Sequence, residues 1–176
     1  KVGDEYILNG TKQFISNGGT ASMYTVLATL DKKLGTKGMC CFMVDRNTPG
    51  ITVGKVEDKL GIRTSNTTEV IFEDVRVPAK NLIGKEGQGF YIIMKTLDIS
   101  RASIAAMATG VAQRCLDESL AYSRLRTQFG KPISSFQAIQ FKLADMAMRI
   151  QASRLLYYEA SSLQDMGVPR FSKSAS

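Results

Sequence analysis

The 176-residue chain is predicted to be an α+β protein: an antiparallel β-sheet or β-barrel over residues 1–84, followed by a bundle of long helices over 85–176. Three observations predict it. Apolar residues up to about Val77 recur with period two in short runs separated by turn residues. Beyond Gly87 the spacing changes to that of a helix face, sustained over some 30 residues at a time. Between the two regimes stands Lys85-Glu86-Gly87-Gln88-Gly89, a glycine-rich boundary.

In the first half, Tyr6-Ile7-Leu8 and Gln13-Phe14-Ile15 flank Asn9-Gly10, a pair that tolerates the positive φ of a tight turn, so a hairpin is expected there. Tyr24–Leu30 and Met39–Val44 read as buried strands. Thr48-Pro49-Gly50 turns the chain into a strand over Ile51–Val56, and Glu69–Val77 is a further strand stopped by Pro78. Short strands at this spacing, with no helical period between them, suggest an antiparallel sheet or barrel.

In the second half a helix is expected from about Phe90 to Arg124, its apolar stripe carried by Leu97, Ile104, Met107, Val111 and Cys115. Arg101 falls on that stripe, and a buried guanidinium needs a partner, which Asp98 supplies three residues earlier. Small residues at Ala102, Ala105, Ala106 and Ala108 to Gly110 permit close helix approach. A second helix is expected from about Ser135 to Met166, stopped by Gly167 and Pro169, with Met146, Met148, Leu155, Leu156, Tyr157 and Tyr158 toward the bundle core. The residues after Pro169 read as the start of a third helix. In the connector, Gly130 suits a left-handed helix end, Pro132 cannot continue a helix, and Ser134 or Ser135 suits a cap. Arg124, Arg126 and Lys131 give it three positive charges with no acid nearer than Glu118 or Asp145, which suits an anion or, equally, a solvated basic loop.

Hydrophobic content of 44% and charged content of 22% are those of a globular protein, and no apolar run approaches the roughly 20 residues of a membrane span. The net charge of +7 divides unevenly: residues 1–84 carry 11 basic and 9 acidic groups, residues 85–176 carry 12 and 7. No Lys/Arg run and no aromatic-interleaved basic strand points to nucleic acid, so a phosphate-bearing small molecule is the better match. Three cysteines form no disulfide framework, and adjacent Cys40 and Cys41 face opposite sides of a strand, so a reducing compartment is expected. With no histidine, His-based triads, metal sites and proton relays are excluded from these residues. Gly87-x-Gly89 lacks the third glycine and preceding strand of a dinucleotide fingerprint and reads as a domain junction.

Arg126-x-x-Phe129-Gly130-Lys131-Pro132-Ile133-x-x-Phe136-Gln137, followed by a long helix, resembles the acyl-CoA dehydrogenase family. Three further stretches agree: Phe14-Ile15-Ser16-Asn17-Gly18-Gly19, the run from Asp45 through Lys59-Leu60-Gly61-Ile62-Arg63 to Val77-Pro78, and Leu97-Asp98-x-x-Arg101. The resemblance implies a middle β-domain, incomplete at its N-terminus, over 1–84 and a truncated C-terminal helical domain over 85–176. It implies FAD as cofactor. Phe14 would pack beside the flavin ring, with Ile15 and Ser16 against it and the Ser16 hydroxyl near N5 and O4. Arg126, Phe129 and Gln137 would contact the FAD of a neighbouring subunit, the guanidinium pairing with pyrophosphate in bidentate fashion. The family often has Trp where this chain has Phe14, so stacking is kept and an indole N–H is lost. Asp98, Ile99, Ser100 and Arg101 would line the acyl-CoA thioester, and Arg63 would lie toward the active-site side of the β-domain. Without the resemblance, Phe14 is a cross-strand residue and Asp98–Arg101 an ordinary intrahelical pair.

The implied reaction is removal of an α-proton by a carboxylate while the β-hydrogen leaves as hydride, giving a trans-2-enoyl-CoA with electrons passed to electron-transfer flavoprotein. A minority of the family place that carboxylate just before the Arg matched by Arg101, where this chain has Ser100. The base is therefore expected beyond residue 176 and no catalytic residue is assigned here. The resemblance covers nearly all 176 residues, under half of a usual subunit, so these residues alone are expected to be inactive and the complete polypeptide a homotetramer. Localisation follows as cytoplasmic in a bacterium or mitochondrial matrix in a eukaryote, and not secreted. Two other readings stand beside it: an acyl-CoA oxidase or flavin monooxygenase on the same scaffold, and a non-catalytic helical assembly module.

Overall fold

A computed structural model describes residues 1–169 and 171–172. The chain divides into two compact units, Lys1–Met94 and a second starting at Lys95. The first holds two three-stranded antiparallel sheets. One has the order β1 (Glu5–Ser16), β5 (Thr67–Pro78), β4 (Ile51–Val56), and the other β2 (Met23–Thr29), β3 (Met39–Asp45), β6 (Leu82–Ile83). The apolar residues of alternate positions meet in one core, with Tyr6, Leu8, Phe72, Val75 and Val77 from the first sheet and Tyr24, Val26, Phe42 and Val44 from the second. Tyr6 and Phe42 meet with their rings tilted at 57° and centroids 4.8 Å apart, and Tyr24 meets Phe72 edge-on at 6.4 Å. The predicted antiparallel sheets and long helices are thus both present, the sheets as a two-layer arrangement around a shared core.

The hairpin expected at Asn9-Gly10 does not form. β1 runs unbroken from Glu5 to Ser16 along β5, in register from Glu5↔Pro78 to Ser16↔Thr67. Asn9-Gly10 marks a bulge instead: the ladder slips between Leu8 and Gly10, Gly10 takes φ 141°, and the Asn9 amide exchanges hydrogen bonds with Asp74 across the strands at 3.0 and 2.8 Å. The ladder with β5 outweighs the local turn preference. Strands β2 to β5 lie where period two puts them, each within two residues, while β6 is not expected from it. Cys40 and Cys41 in β3 are both fully buried, and burial raises the Cys41 thiol above its usual range.

Gly87 and Gly89 serve close packing. A Cβ at Gly89 would stand 2.6 Å from the Cys40 carbonyl carbon and one at Gly87 2.6 Å from the Lys37 carbonyl oxygen, while the Gly87 N–H donates to Cys40 Sγ at 3.5 Å. The boundary segment is pinned against β3, with no room for a side chain. Beside it, Glu86 accepts from Lys1 Nζ at 2.9 Å and from the Tyr6 hydroxyl, and these bonds hold its carboxyl below the usual range and the Tyr6 phenol above its own.

The helices are α1 (Gly89–Leu125) and α2 (Gln137–Asp165). α1 buries Ala102, Thr109, Leu116 and Ser123, one every seven residues, and α2 buries Ile150 and Ala160. Arg154 Nη2 on α2 donates to Gln113 Oε1 on α1 at 2.9 Å. The small residues expected to allow close approach thus supply part of the buried stripe. The apolar stripe read from spacing is the open one: Leu97, Ile104, Met107 and Val111 are all more than half exposed, and Arg101 with them. Met148, Leu155, Leu156 and Tyr158 on α2, expected in the core, are also exposed. Spacing identifies an apolar face but not which of two faces finds its partner within these residues.

The connector differs from expectation in two details. Thr127–Gln128 (β7) and Lys131–Pro132 (β8) form a two-strand hairpin whose turn is Phe129-Gly130 with φ 52° and 78°, so the left-handed glycine closes a hairpin instead of ending α1. A single 3₁₀ turn, Ile133–Ser135, precedes α2, whose cap is Phe136 without a side-chain bond; Ser135 Oγ donates to the Pro132 carbonyl at 2.7 Å. The third helix expected after Pro169 falls largely outside the described residues.

Candidate functional site

The end of β1 carries the first group of expected site residues. A second bulge separates Lys12 from Ile15, and within it Phe14 is held at φ 55° and is 68% exposed. A left-handed aromatic residue is uncommon and costs on the order of 1 kcal/mol, so it persists only where its surroundings fix it, often at a functional site. Ile15 packs partly against the core, and Ser16, the last residue of the strand, is exposed. A concavity of about 330 Å³ opens between β1 and β2 beside Ser16, with Ile15, Ala21, Met23 and Val70 in its lining.

Immediately after Ser16 the chain turns through Asn17-Gly18-Gly19, which is far from a free flexible loop. The Asn17 N–H donates to the Asn66 carbonyl at 2.7 Å and the Gly19 N–H to Asn66 Oδ1 at 2.9 Å. The Gly18 carbonyl accepts from Tyr24 Oη at 2.6 Å, and the Gly19 carbonyl accepts from Arg46 Nη1. A Cβ at Gly18 would stand 2.4 Å from Thr68 Oγ1, and one at Gly19 2.7 Å from Asn66 Oδ1. Thr68 is fully buried, and its hydroxyl is the one buried side-chain oxygen among the described residues without a hydrogen-bond partner. None of Asn66, Tyr24, Arg46 or Thr68 was singled out from sequence as a site residue. Only the adjacent glycines hint at the close packing; the partners are distant along the chain.

In the second unit, one connector carries the remaining cofactor candidates. Arg126 sits at the foot of the β7–β8 hairpin, its N–H bonded to the Tyr122 carbonyl at 2.8 Å and its carbonyl accepting from Ile133 N at 2.9 Å, so its backbone is fixed while its side chain is exposed. Phe129 at the hairpin tip is 91% exposed and meets Phe136 edge-on at 6.2 Å. Lys131 Nζ lies 4.7 Å from the Phe136 ring centroid. Gln137 opens α2 and is exposed. The hairpin therefore carries an exposed aromatic tip together with a guanidinium and an ammonium, a combination suited to a phosphate joined to a flat ring.

Asp98, Ile99, Ser100 and Arg101 lie together on α1. Asp98 and Arg101 form the expected pair at 3.4 Å, but with about half of each side chain exposed, so the pair contributes at most about 1 kcal/mol to folding. Ser172 Oγ approaches Asp98 Oδ1 at 3.4 Å, and Ser100 Oγ donates to the Leu97 carbonyl at 3.0 Å. Ile99 is 42% exposed. Arg63 is paired at the surface with Asp58 at 3.2 Å on the exposed loop before β5.

Comparison with known proteins bears on the family and fold of both units. Residues 1–75 match the model of the acyl-CoA dehydrogenase middle domain, and residues 87–176 that of the acyl-CoA dehydrogenase C-terminal domain. The chain is 51% identical over 164 residues to a short-chain specific acyl-CoA dehydrogenase of Megasphaera elsdenii, covering 93% of this chain and 43% of the relative. Butyryl-CoA dehydrogenase from Megasphaera elsdenii superposes with a TM-score of 0.94 at 50% identity, over 97% of this chain and 44% of that one. A chain in the structure described as electron transferring flavoprotein of Acidaminococcus fermentans superposes with a TM-score of 0.95 at 50% identity, over 98% of this chain and 45% of that one. The chain spans less than half the length of the curated relatives it matches. With both of its units matched, the chain belongs to the acyl-CoA dehydrogenase family.

Proposed function

We propose that these residues are part of an FAD-dependent acyl-CoA dehydrogenase that converts short-chain acyl-CoA thioesters to trans-2-enoyl-CoA and passes the electrons to electron-transfer flavoprotein. The observation that carries the reading is Phe14, held left-handed in a bulge with its ring exposed, two residues before an exposed Ser16. The names of the similar short-chain dehydrogenases support the substrate class, and the solved structure described as an electron transferring flavoprotein supports the electron acceptor.

The residues present fit the cofactor. An exposed aromatic ring and a hydroxyl at the end of β1 suit the edge of a flavin, and a basic hairpin with an aromatic tip suits the pyrophosphate and adenosine of FAD. When bound, FAD would supply the hydride acceptor for the β-hydrogen. Phe14 and Ile15 would shield one edge of its ring from water, and the exposed Ser16 hydroxyl would be available to hydrogen-bond it. Arg126 neutralises pyrophosphate, with Phe129 and Gln137 against the adenosine end, in the FAD of a neighbouring subunit. On α1, Asp98, Ile99, Ser100 and Arg101 border the thioester, the Asp98 carboxylate holding the guanidinium of Arg101 in place. The base that removes the α-proton is supplied from outside these residues. The exposed apolar stripes on α1 and α2 pack against further helices of the polypeptide and of its copies in a homotetramer. The reducing surroundings implied by three free cysteines, Cys40 and Cys41 buried and Cys115 exposed, suit a bacterial cytoplasm or a mitochondrial matrix.

The test is anaerobic mixing of the FAD-loaded full-length polypeptide with a short-chain acyl-CoA, followed by reoxidation. Flavin bleaching and reoxidation by electron-transfer flavoprotein support the reading. Rapid reoxidation by oxygen instead identifies an oxidase or monooxygenase, and absence of any flavin binding identifies a non-catalytic assembly module.

A further inference from the structure

We infer that Asn66, Tyr24 and Arg46 are positioning residues for the flavin-facing end of β1, acting through the Asn17-Gly18-Gly19 turn; the inference rests on the proposed flavin site. These three side chains bind backbone groups only of the residues that follow Ser16. Asn66 uses two oxygens on the same turn, its carbonyl for Asn17 N and its Oδ1 for Gly19 N, at 2.7 and 2.9 Å. Tyr24, on the opposite sheet and only 8% exposed, reaches the Gly18 carbonyl at 2.6 Å, and Arg46, half-buried at the end of β3, reaches the Gly19 carbonyl. Both sheets therefore tie down the same three residues.

A turn between strands needs no such density of ties. Gly18 N–H already bonds the Ile15 carbonyl at 3.1 Å, and Thr20 N and Ala21 N both bond the Asn17 carbonyl, which closes the turn locally. The long-range bonds add something a local turn lacks: they fix where its peptide planes stand relative to both sheets. The glycines remove the last freedom, since neither Gly18 nor Gly19 has space for a Cβ. The result is that the Ser16 hydroxyl and its adjoining backbone are presented at one fixed place, as preorganised recognition requires.

The test uses the full-length polypeptide loaded with FAD. Asn66→Ala deletes the acceptor for Gly19 N and keeps the backbone carbonyl that serves Asn17; Asn66→Asp restores an acceptor at the same reach; Tyr24→Phe deletes only the bond to Gly18. The expected result is that Asn66→Ala and Tyr24→Phe each raise the FAD dissociation constant about ten-fold, the factor associated with one net hydrogen bond, and move the flavin reduction potential, with Asn66→Asp recovering affinity. A purely structural role predicts a lower thermal midpoint with wild-type FAD affinity and potential in both variants, and that result overturns the inference. If Asn66→Ala fails to fold, Tyr24→Phe decides alone by the same criterion. A wild-type polypeptide that takes up no FAD overturns the proposed function and this inference together, whereas normal wild-type binding with indifferent variants overturns this inference only.

Discussion

Replacing Gly18 by alanine probes the packing on which the Ser16 site depends. The new Cβ would lie 2.4 Å from Thr68 Oγ1, about 1 Å inside ordinary van der Waals contact. Moving away brings no relief, because Val70 Cγ2 stands at 3.0 Å and the Ile15 carbonyl oxygen at 3.2 Å from the same point. Thr68 is fully buried within β5, paired with Ile15 on one side and Val56 on the other, so its hydroxyl has no open space to rotate into. Overpacking of this kind costs about 1–3 kcal/mol, or roughly 5- to 150-fold in the folded-to-unfolded ratio. The assay is urea unfolding of the full-length polypeptide, read as a lower midpoint at unchanged slope. Thr68→Ala removes the obstructing oxygen, which is unpartnered and so contributes nothing by hydrogen bonding. In a double-mutant cycle, Gly18→Ala with Thr68→Ala should recover about 1–2 kcal/mol relative to the sum of the single changes. A Gly18→Ala midpoint within error of wild type, or additive effects of the two changes, would refute the close contact.

Further outcomes follow from the other elements. Arg126→Ala should weaken FAD retention about ten- to a hundred-fold, the scale of one charge-assisted hydrogen bond, and Arg126→Lys should recover only part of it because the planar fork is lost; equilibrium dialysis of the loaded polypeptide measures both. Arg101→Ala should change folding stability by less than about 1 kcal/mol, since its pair with Asp98 is exposed, while raising KM for an acyl-CoA about ten-fold in steady-state assays. Glu86 has a lowered folded pKa because Tyr6 and Lys1 donate to it, so its contribution is complete above its ordinary value of 4.5 and is lost as pH falls through the lower folded value. An acid-unfolding series should accordingly show a shallower loss below pH 4.5 in Glu86→Gln than in wild type.

Sequence and structure agree wherever a local pattern decides the outcome. Strands β2 to β5 and both long helices follow from periodicity, and of the residues that carry the resemblance Phe14, Ser16, Arg126, Phe129 and Gln137 are exposed. They disagree where distant residues decide. Asn9-Gly10 carries a hairpin signal, yet pairing with β5 turns it into a bulge clamped by Asp74, a residue 65 positions away. On α1 the larger apolar side chains mark one face while the seven-residue series Ala102, Thr109, Leu116, Ser123 is the one buried, since small residues give little periodic hydrophobic signal. The turn after Ser16 shows the same limit: Asn66 is 47 residues from Gly19 and Arg46 is 27 away, distances over which sequence pattern carries no information about contact.

The most direct measurement is an anaerobic titration of the FAD-loaded full-length polypeptide with butyryl-CoA, monitored by flavin absorbance and by the acyl product. Bleaching that saturates at one acyl-CoA per flavin, with formation of the trans-2-enoyl-CoA, is the predicted result. A flavin that stays oxidised in the presence of excess short-chain and longer acyl-CoA thioesters would contradict the proposed function.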